Sequence, residues 1–367
     1  MEKRIRYLLL FLLFLVFLFS SSYLFLVSQG YHFSFSERKI YQTGGIYIKA
    51  WPKEAMIFLD GKFKKKTDII FGSALLQKLK PKDYLIEVKK ENFFPWKKKI
   101  RVNEKTVEEF RNIILFPEKI NFHFLKDNIL NIWPSKNERE ILIQKKENQG
   151  WNLYLFNFKE EKEIPLSFSK KIKEKREIKD LFFSNNENKI FLKIKGQKPQ
   201  YFVFDLEKDN SWKEIKEEDF ETIKEKKEIV ENKTFSLWQG SLFLEDAEGK
   251  KKIIENVNSF IISPNKRKIA LFQDNEIWLL LKENNFEKTF LARFSKKIKD
   301  PFWINNDYLL FSLEDKIIVL ETDTRDGLNY YEWKGFPDQK IVFNFLEKNF
   351  FILSKKKLFL SDKIFER

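Results

Sequence analysis

Five stretches of this chain repeat one order of residues, and a repeat limits a fold more tightly than composition does. Each opens on a bulky apolar residue at a short turn, continues into an apolar triplet, passes a polar turn and ends on a second apolar run. Trp133-Pro134-Ser135 leads to Ile141-Leu142-Ile143 and Leu153-Tyr154-Leu155-Phe156. Phe183-Ser184-Asn185 leads to Ile190-Phe191-Leu192 and Tyr201-Phe202-Val203-Phe204. Ile262-Ser263-Pro264 leads to Ile269-Ala270-Leu271 and Ile277-Trp278-Leu279, and Trp303-Ile304-Asn305 to Leu309-Leu310-Phe311 and Ile317-Ile318-Val319. Phe343-Asn344 leads to Phe350-Phe351-Ile352 and Leu358-Phe359-Leu360. Apolar triplets between turns read as short strands buried on both faces.

The starts at 133, 183, 262, 303 and 343 lie 50, 79, 41 and 40 residues apart. A period near 40 with paired short strands is the spacing of four-stranded units packed around an axis. The gap of 79 then hides one degenerate unit, supplied by Phe235-Ser236-Leu237-Trp238 with Leu242-Phe243-Leu244, and the count becomes six. The gap of 50 is explained by a charged insertion from Lys159 to Lys179, expected as a surface excursion. Ile120 to Phe124 is free to pair with the last unit and remove an exposed edge. Residues 118–367 are therefore expected to form one all-β ring of about six units.

A different all-β pattern precedes the repeats, at residues 44–116. Ile46, Ile48 and Ala50 alternate against Tyr47 and Lys49 up to Trp51-Pro52, and a second strand runs from Ala55 to Leu59. Asp60-Gly61 then signals a hairpin, because both central residues of a type I′ turn need positive φ. Leu75 to Leu79 ends at Pro81, Tyr84, Ile86 and Val88 alternate with Leu85, Glu87 and Lys89, and Lys98, Ile100 and Val102 begin a further strand after Pro95. Thr106 to Leu115 can close the sheet.

These two stretches carry resemblances. Residues 44–116 resemble the PEGA domain, a small β-sandwich of bacterial cell-surface proteins, in Pro52 with Ala55, Asp60-Gly61, Thr67, Leu79 with Pro81 and Tyr84, and Phe94-Pro95. Glu54, Asp68 and Asp83 stand where that family has Gly, Pro and Gly, and each is tolerated if φ stays negative. The resemblance implies binding or spacing at the cell envelope and no catalysis. The repeats resemble the WD40-like and TolB-like β-propellers, in which an aromatic-Ser-Pro-Asn turn precedes each inner strand. Ile262-Ser263-Pro264-Asn265 is the fullest copy, and the turns at Trp133, Phe183, Trp303 and Phe343 keep part of it. A β-sandwich or two is the competing architecture for this region.

At the other end, Tyr7 to Val27 runs without a charge, and at 1.5 Å per residue it is long enough to cross a hydrocarbon layer roughly 30 Å thick. Lys3, Arg4 and Arg6 precede it, so the positive-inside tendency leaves 1–6 in the cytoplasm and everything after Gly30 outside. Ser20, Ser21 and Ser22 leave a cleaved signal peptide as an alternative to a retained anchor. Residues 28–43 lack periodicity and read as a linker.

Chemistry is harder to find. There is no Cys, and His32 and His123 are the only histidines, which excludes thiolate metal sites and leaves little for a His-based metal site or triad. Gly44-Gly45 lacks the rest of a phosphate loop, and Gly72-Ser73 lacks the glycines of a nucleophile elbow. Asp323 to Gly327 reads as a hairpin turn, because Trp333 stands where a calcium loop needs Glu. The net charge of +15 suggests a nucleic-acid partner, but Lys far outnumbers Arg, whereas base reading favours the guanidinium. Lys62 to Lys66 and Lys97 to Lys99 are accordingly read as solvated faces, and Trp133 and Trp303 as packing residues.

The sequence thus indicates a single-pass protein of the cell membrane, N-terminus cytoplasmic, with its bulk extracytoplasmic. It is expected to bind a protein, peptide or glycan of the envelope through a propeller face, with no cofactor, no metal, no nucleic acid and no catalytic residue. The rival function is a propeller hydrolase or lyase, which needs a carboxylate or Tyr cluster at the centre of one face. A transmembrane sensor is a third reading, for which 1–6 is too short to carry an output domain.

Overall fold

In the computed structural model, the described residues are 3–34, 38–135, 140–148, 150–157, 160, 162–166, 177–184, 186, 188–196, 198–208, 211–224 and 226–365. Strand dominates, and the chain divides into two compact units. Unit 1 holds residues 1–118 with Arg325–Asn329 and Phe365–Arg367, and unit 2 holds Lys119–Thr324 with Tyr330–Ile364.

Unit 1 begins with helix α1 (Lys3–Ser28). Its span Ile5–Ser28 has a mean hydropathy of 2.5 with no part of it buried, so it is long and apolar enough to cross a membrane and is not a core helix. An anchor and a signal sequence both fit these properties. The stretch read as a linker is ordered instead: β1 (Tyr31–Ser34) and β2 (Lys39–Gln42) pair as an antiparallel hairpin. Its four-residue strands are too short to show a period, which is why the sequence hid them.

Seven further strands make a two-sheet sandwich. β3 (Gly44–Trp51) lies between β6 (Ser73–Leu79) and β9 (Val107–Ile114), the latter parallel to it. β4 (Met56–Leu59), β5 (Lys62–Lys66), β7 (Lys82–Lys89) and β8 (Trp96–Val102) form the second sheet in the order β5-β4-β7-β8. The alternation read from Ile46, Ile48 and Ala50 is the buried face of β3, and it meets Ile57, Leu59, Ile86 and Val88 in one core. Trp96 and Phe110 close that core edge to face, with ring centroids 5.0 Å apart.

The turns correct one expectation. Asp60 and Gly61 have φ of 49° and 75°, the geometry that a type I′ hairpin requires. Glu54, expected at negative φ, has a φ of 59°. The backbone has the left-handed conformation that glycine favours, and an L-residue there costs about 1–2 kcal/mol. Asp68 fills its turn differently. Its carboxylate accepts from the amides of Ile70 (2.9 Å), Phe71 (2.5 Å) and Ser73 (2.8 Å) and from the Ser73 hydroxyl (2.7 Å). These bonds, that from Phe71 foremost, hold its pKa well below the carboxylate range.

Lys98 is a further correction. Its side chain is 1% exposed, and Nζ donates to the Gly327 carbonyl at 2.9 Å. The segment Arg325–Asn329 covers this edge of β8: Asn329 accepts from the Lys97 amide and donates to its carbonyl, and Asp326 accepts from the Lys99 amide. An edge strand whose amides are met this way offers no template for another chain. Asp323 to Gly327 thus lies in an irregular connection and not in a tight hairpin turn.

Unit 2 consists of six four-stranded antiparallel sheets among the described residues. The first is Ile129–Pro134, Glu140–Glu147, Gly150–Asn157 and Lys162–Leu166, and the second is Ile178–Phe183, Lys189–Ile194, Gln200–Asp205 and Trp212–Ile215. The third is Lys226–Val230, Lys233–Trp238, Ser241–Asp246 and Gly249–Ile254, and the fourth is Ser259–Ile262, Lys268–Phe272, Glu276–Leu281 and Glu287–Arg293. The fifth is Ile298–Trp303, Tyr308–Leu313, Lys316–Glu321 and Tyr330–Lys334. Lys340–Asn344, Asn349–Ser354 and Lys357–Ser361 form the sixth, which Phe122–Lys126 completes by pairing Phe122 with Ser361 and His123 with Leu360.

The apolar triplets are the second strands. Those of the fifth and sixth sheets are buried along their whole length, because neighbouring sheets cover both faces. Ile129, Ile132 and Ile141 of the first sheet pack on Val342, Phe351 and Leu353 of the sixth, and Leu142 and Leu153 pack on Leu181 and Phe183 of the second. Phe235 and Leu244 of the third pack on Phe260 and Ile269 of the fourth. Four-stranded sheets packed face on face in this way, with the first strands or following turns of five of them around a common cavity, have the arrangement of a β-propeller.

Two details of unit 2 differ from expectation. The charged insertion begins as the fourth strand of the first sheet, Lys162–Leu166, while 167–176 lies outside the described residues. The short helix α2 (Glu217–Lys224) follows the second sheet and buries Phe220 against Phe182 and Tyr201.

Candidate functional site

The residues singled out in unit 1 hold turns and do not converge on a pocket. The Ala55 amide donates to Thr67 Oγ1 at 3.0 Å, and the Thr67 amide donates to the Ala55 carbonyl at 2.9 Å. Asp60 accepts from Lys82 Nζ (2.7 Å) and from the Leu85 amide (3.0 Å), contacts that hold its carboxyl below its ordinary pKa. Leu79 packs at the rim of the core, Tyr84 is buried in it, and Lys82 Nζ lies 4.5 Å from the centre of the Tyr84 ring. Pro52 is buried, while Pro81 and Pro95 lie at turns beside the sheets.

The repeat turns in unit 2 follow one design. A buried hydroxyl or amide takes the place of a main-chain partner: the amides of Glu140, Lys189 and Lys268 donate to Ser135, Ser184 and Ser263 Oγ at 3.2, 3.0 and 2.9 Å. In the same turns the serine amides donate back to the carbonyls of Glu140, Lys189 and Lys268. Asn305 serves the fifth sheet by accepting from Asp307 and Tyr308, and Asn344 serves the sixth by accepting from Leu346 and Glu347. Asn185 of the second turn lies outside the described residues. These polar groups let the chain reverse inside the molecule without leaving main-chain donors unmet.

The turns deliver residues to a cavity of about 860 Å³. Its wall comes from the first strands, or the turns after them, of five sheets: Ser135, Ile229, Ile262, Trp303 and Phe343 stand one from each. Further apolar wall comes from Ile261, Phe302 and Phe345, and Lys227 and Glu228 supply charge. Three of the five turn residues named from sequence, Ile262, Trp303 and Phe343, therefore line the cavity. Trp133 stands beneath Lys340, whose Nζ is 5.1 Å from its ring, and Phe183 is buried between the first and second sheets.

Packing and lining roles coincide at Trp303. It is 3% exposed, and its Nε1 donates to the Ile261 carbonyl at 3.2 Å, joining the fifth sheet to the fourth. A polar seam joins the fifth, sixth and first sheets. Asp300 accepts from the Ile341 amide (2.9 Å), and Lys340 Nζ donates to Asn131 Oδ1 (2.9 Å). Burial pushes the Asp300 carboxyl up and the Lys340 ammonium down, and each charge opposes the other's shift. Asp300 has φ of 49° in a break of register within its strand.

Sequence reasoning missed this seam and the strand bearing Lys227, Glu228 and Ile229. Lys226-Lys227-Glu228 carries no apolar repeat signature, and nothing in a single sequence pairs Asp300 with Lys340. Among the described residues no group of three or more His, Asp or Glu is placed to hold a metal ion.

No family model matches the chain, and no curated protein matches it. Among solved structures it is similar to a chain of the mitotic checkpoint complex, at 9% identity over 68% of this chain and 92% of that one, with a TM-score of 0.43. The β-propeller domain of Cps50 (Swd1) from Myceliophteria thermophila shares 10% identity over 65% and 98%, with a TM-score of 0.41. TolB from Acinetobacter baumannii shares 13% identity over 69% and 60%, with a TM-score of 0.36. At these scores the likenesses carry no argument.

Proposed function

We propose that the chain is a membrane-anchored binding protein of the cell envelope, in which a six-bladed propeller presents its central cavity to a protein or peptide ligand. The observation that carries this reading is the convergence of five sheets on one cavity walled by Ile229, Ile262, Phe302, Trp303 and Phe343. Its volume is in the range of ligand sites, and apolar walls with few polar groups suit apolar side chains of a peptide better than a glycan. Glu228 is the one carboxylate among the lining residues, which gives a hydrolase no acid and base pair. The module of residues 44–116, read as PEGA-like, stands in the chain between an anchor at 7–27 and the propeller, with residues 1–6 cytoplasmic.

The test places a photo-crosslinking amino acid at Ile229, which is 63% exposed, or at Phe290, an exposed residue of an outer strand, in the full chain expressed in cells. A partner captured at Ile229 and not at Phe290 supports the reading, and its loss in Phe343→Asp assigns it to the cavity. Equal capture at both positions, or none, overturns it. Protease added to intact cells should cut the region after Gly30, and full protection would reverse the orientation.

A further inference from the structure

The hairpin β1–β2 is amphipathic in an unusual place. Directly opposed residues of an antiparallel pair share a face, so the register puts Tyr31, Phe33 and Ile40 on one side and His32, Tyr41 and Lys39 on the other. On the first side Phe33 and Ile40 oppose each other at 44% and 67% exposure. On the second, His32 stacks on Tyr41 at 5.9 Å, and Lys80 Nζ lies 5.3 Å from the Tyr41 ring. A two-stranded hairpin with so exposed an apolar face is marginal in water.

This hairpin is fixed to the end of α1. Gly30 leaves the helix at φ of 82°, and its carbonyl accepts from both the Thr43 amide (2.8 Å) and Thr43 Oγ1 (3.1 Å). The apolar face therefore begins where the apolar helix stops. Between them lies a cavity of about 140 Å³ lined by Tyr23, Val27, Tyr31, His32, Thr43 and Lys78. The sequence of the hairpin holds Arg38 and Lys39 against one acid, Glu37.

We propose that β1–β2 is a membrane-interface element that docks on anionic phospholipid, with Tyr31, Phe33 and Ile40 at the acyl boundary. His32, Lys39 and Lys78 then face the lipid phosphates. The proposal rests on the reading of α1 as a retained span. Three features of the structure argue for this occupant: continuity with the helix, tyrosines clustered at its end and the excess of cations over acids.

The chain has no cysteine, so the full-length protein can carry one environment-sensitive fluorophore at Phe33→Cys, Ile40→Cys, Phe14→Cys or Ile70→Cys. Each variant is reconstituted in vesicles of phosphatidylcholine with phosphatidylglycerol, with a headgroup-level nitroxide on one lipid or the other. Labels at 33 and 40 should lose at least half their emission, more from the glycerol lipid than from the choline lipid, while Ile70, an exposed loop residue elsewhere in unit 1, does not respond. Lys39→Ala with Lys78→Ala should abolish the difference between the two lipids. Aqueous emission at 33 and 40 with a buried label at 14 overturns the docking and leaves the span standing. Aqueous emission at 14 as well removes the span and the proposal with it. Equal quenching from both lipids overturns the anionic assignment.

Discussion

The indole nitrogen of Trp303 donates to the Ile261 carbonyl across 3.2 Å, so a side chain of the cavity wall is also a bolt between two sheets. Trp303→Phe keeps an apolar wall and loses the bond, at a cost of about 1 kcal/mol. Trp303→Ala also opens a void and should cost about 3–5 kcal/mol. Denaturant titration of the full chain reads both, and equal midpoints for the two variants would contradict the packing role.

Glu54 sits at φ of 59°, so Glu54→Gly should stabilise unit 1 by about 1 kcal/mol by relieving left-handed strain. The readout is the unfolding transition of unit 1 followed by hydrogen exchange at Ile57 and Ile86. Unchanged or faster exchange would show that the turn is relaxed.

Ser263 is buried and accepts from the Lys268 amide while donating to Asn265. Ser263→Ala leaves that amide without its partner and should cost about 1–3 kcal/mol. The fourth sheet should lose exchange protection first, and an unaffected fourth sheet would assign the turn's stability to its main-chain bonds alone.

The Asp68 carboxyl is held below its ordinary pKa by donors from the Phe71, Ser73 and Ile70 positions. A depressed carboxyl binds fewer protons folded than unfolded, so its contribution is present above the unfolded value of about 4 and is lost as pH falls toward the folded one. Acid unfolding of unit 1 should therefore be less steep below about pH 4 in Asp68→Asn than in the wild type. Identical acid limbs would remove Asp68 from the account.

Legibility followed physical range. The apolar triplets announced the second strands because burial on both faces leaves no polar residue to hide them, and Asp60-Gly61 announced its turn because few dipeptides accept two positive φ values. Glu54 misled, since a side chain reports its own preference and not the conformation imposed on it. Lys98 misled because the chain that covers it comes from position 327, beyond any local pattern. The cavity was legible at Ile262, Trp303 and Phe343 and dark at Ile229, whose strand has too many lysines to read as a cavity wall.

The pairing of Phe122–Lys126 with Lys357–Ser361 has a consequence in time. Asn121 and Asp362, bonded beside that pairing, are 241 residues apart in sequence. At about 5–20 residues per second, ribosomal synthesis separates their emergence by on the order of ten to fifty seconds. Throughout that interval the strand opening unit 2 lacks the neighbour it pairs with, so the nascent chain must keep a sticky edge out of trouble until Lys357–Ser361 emerges.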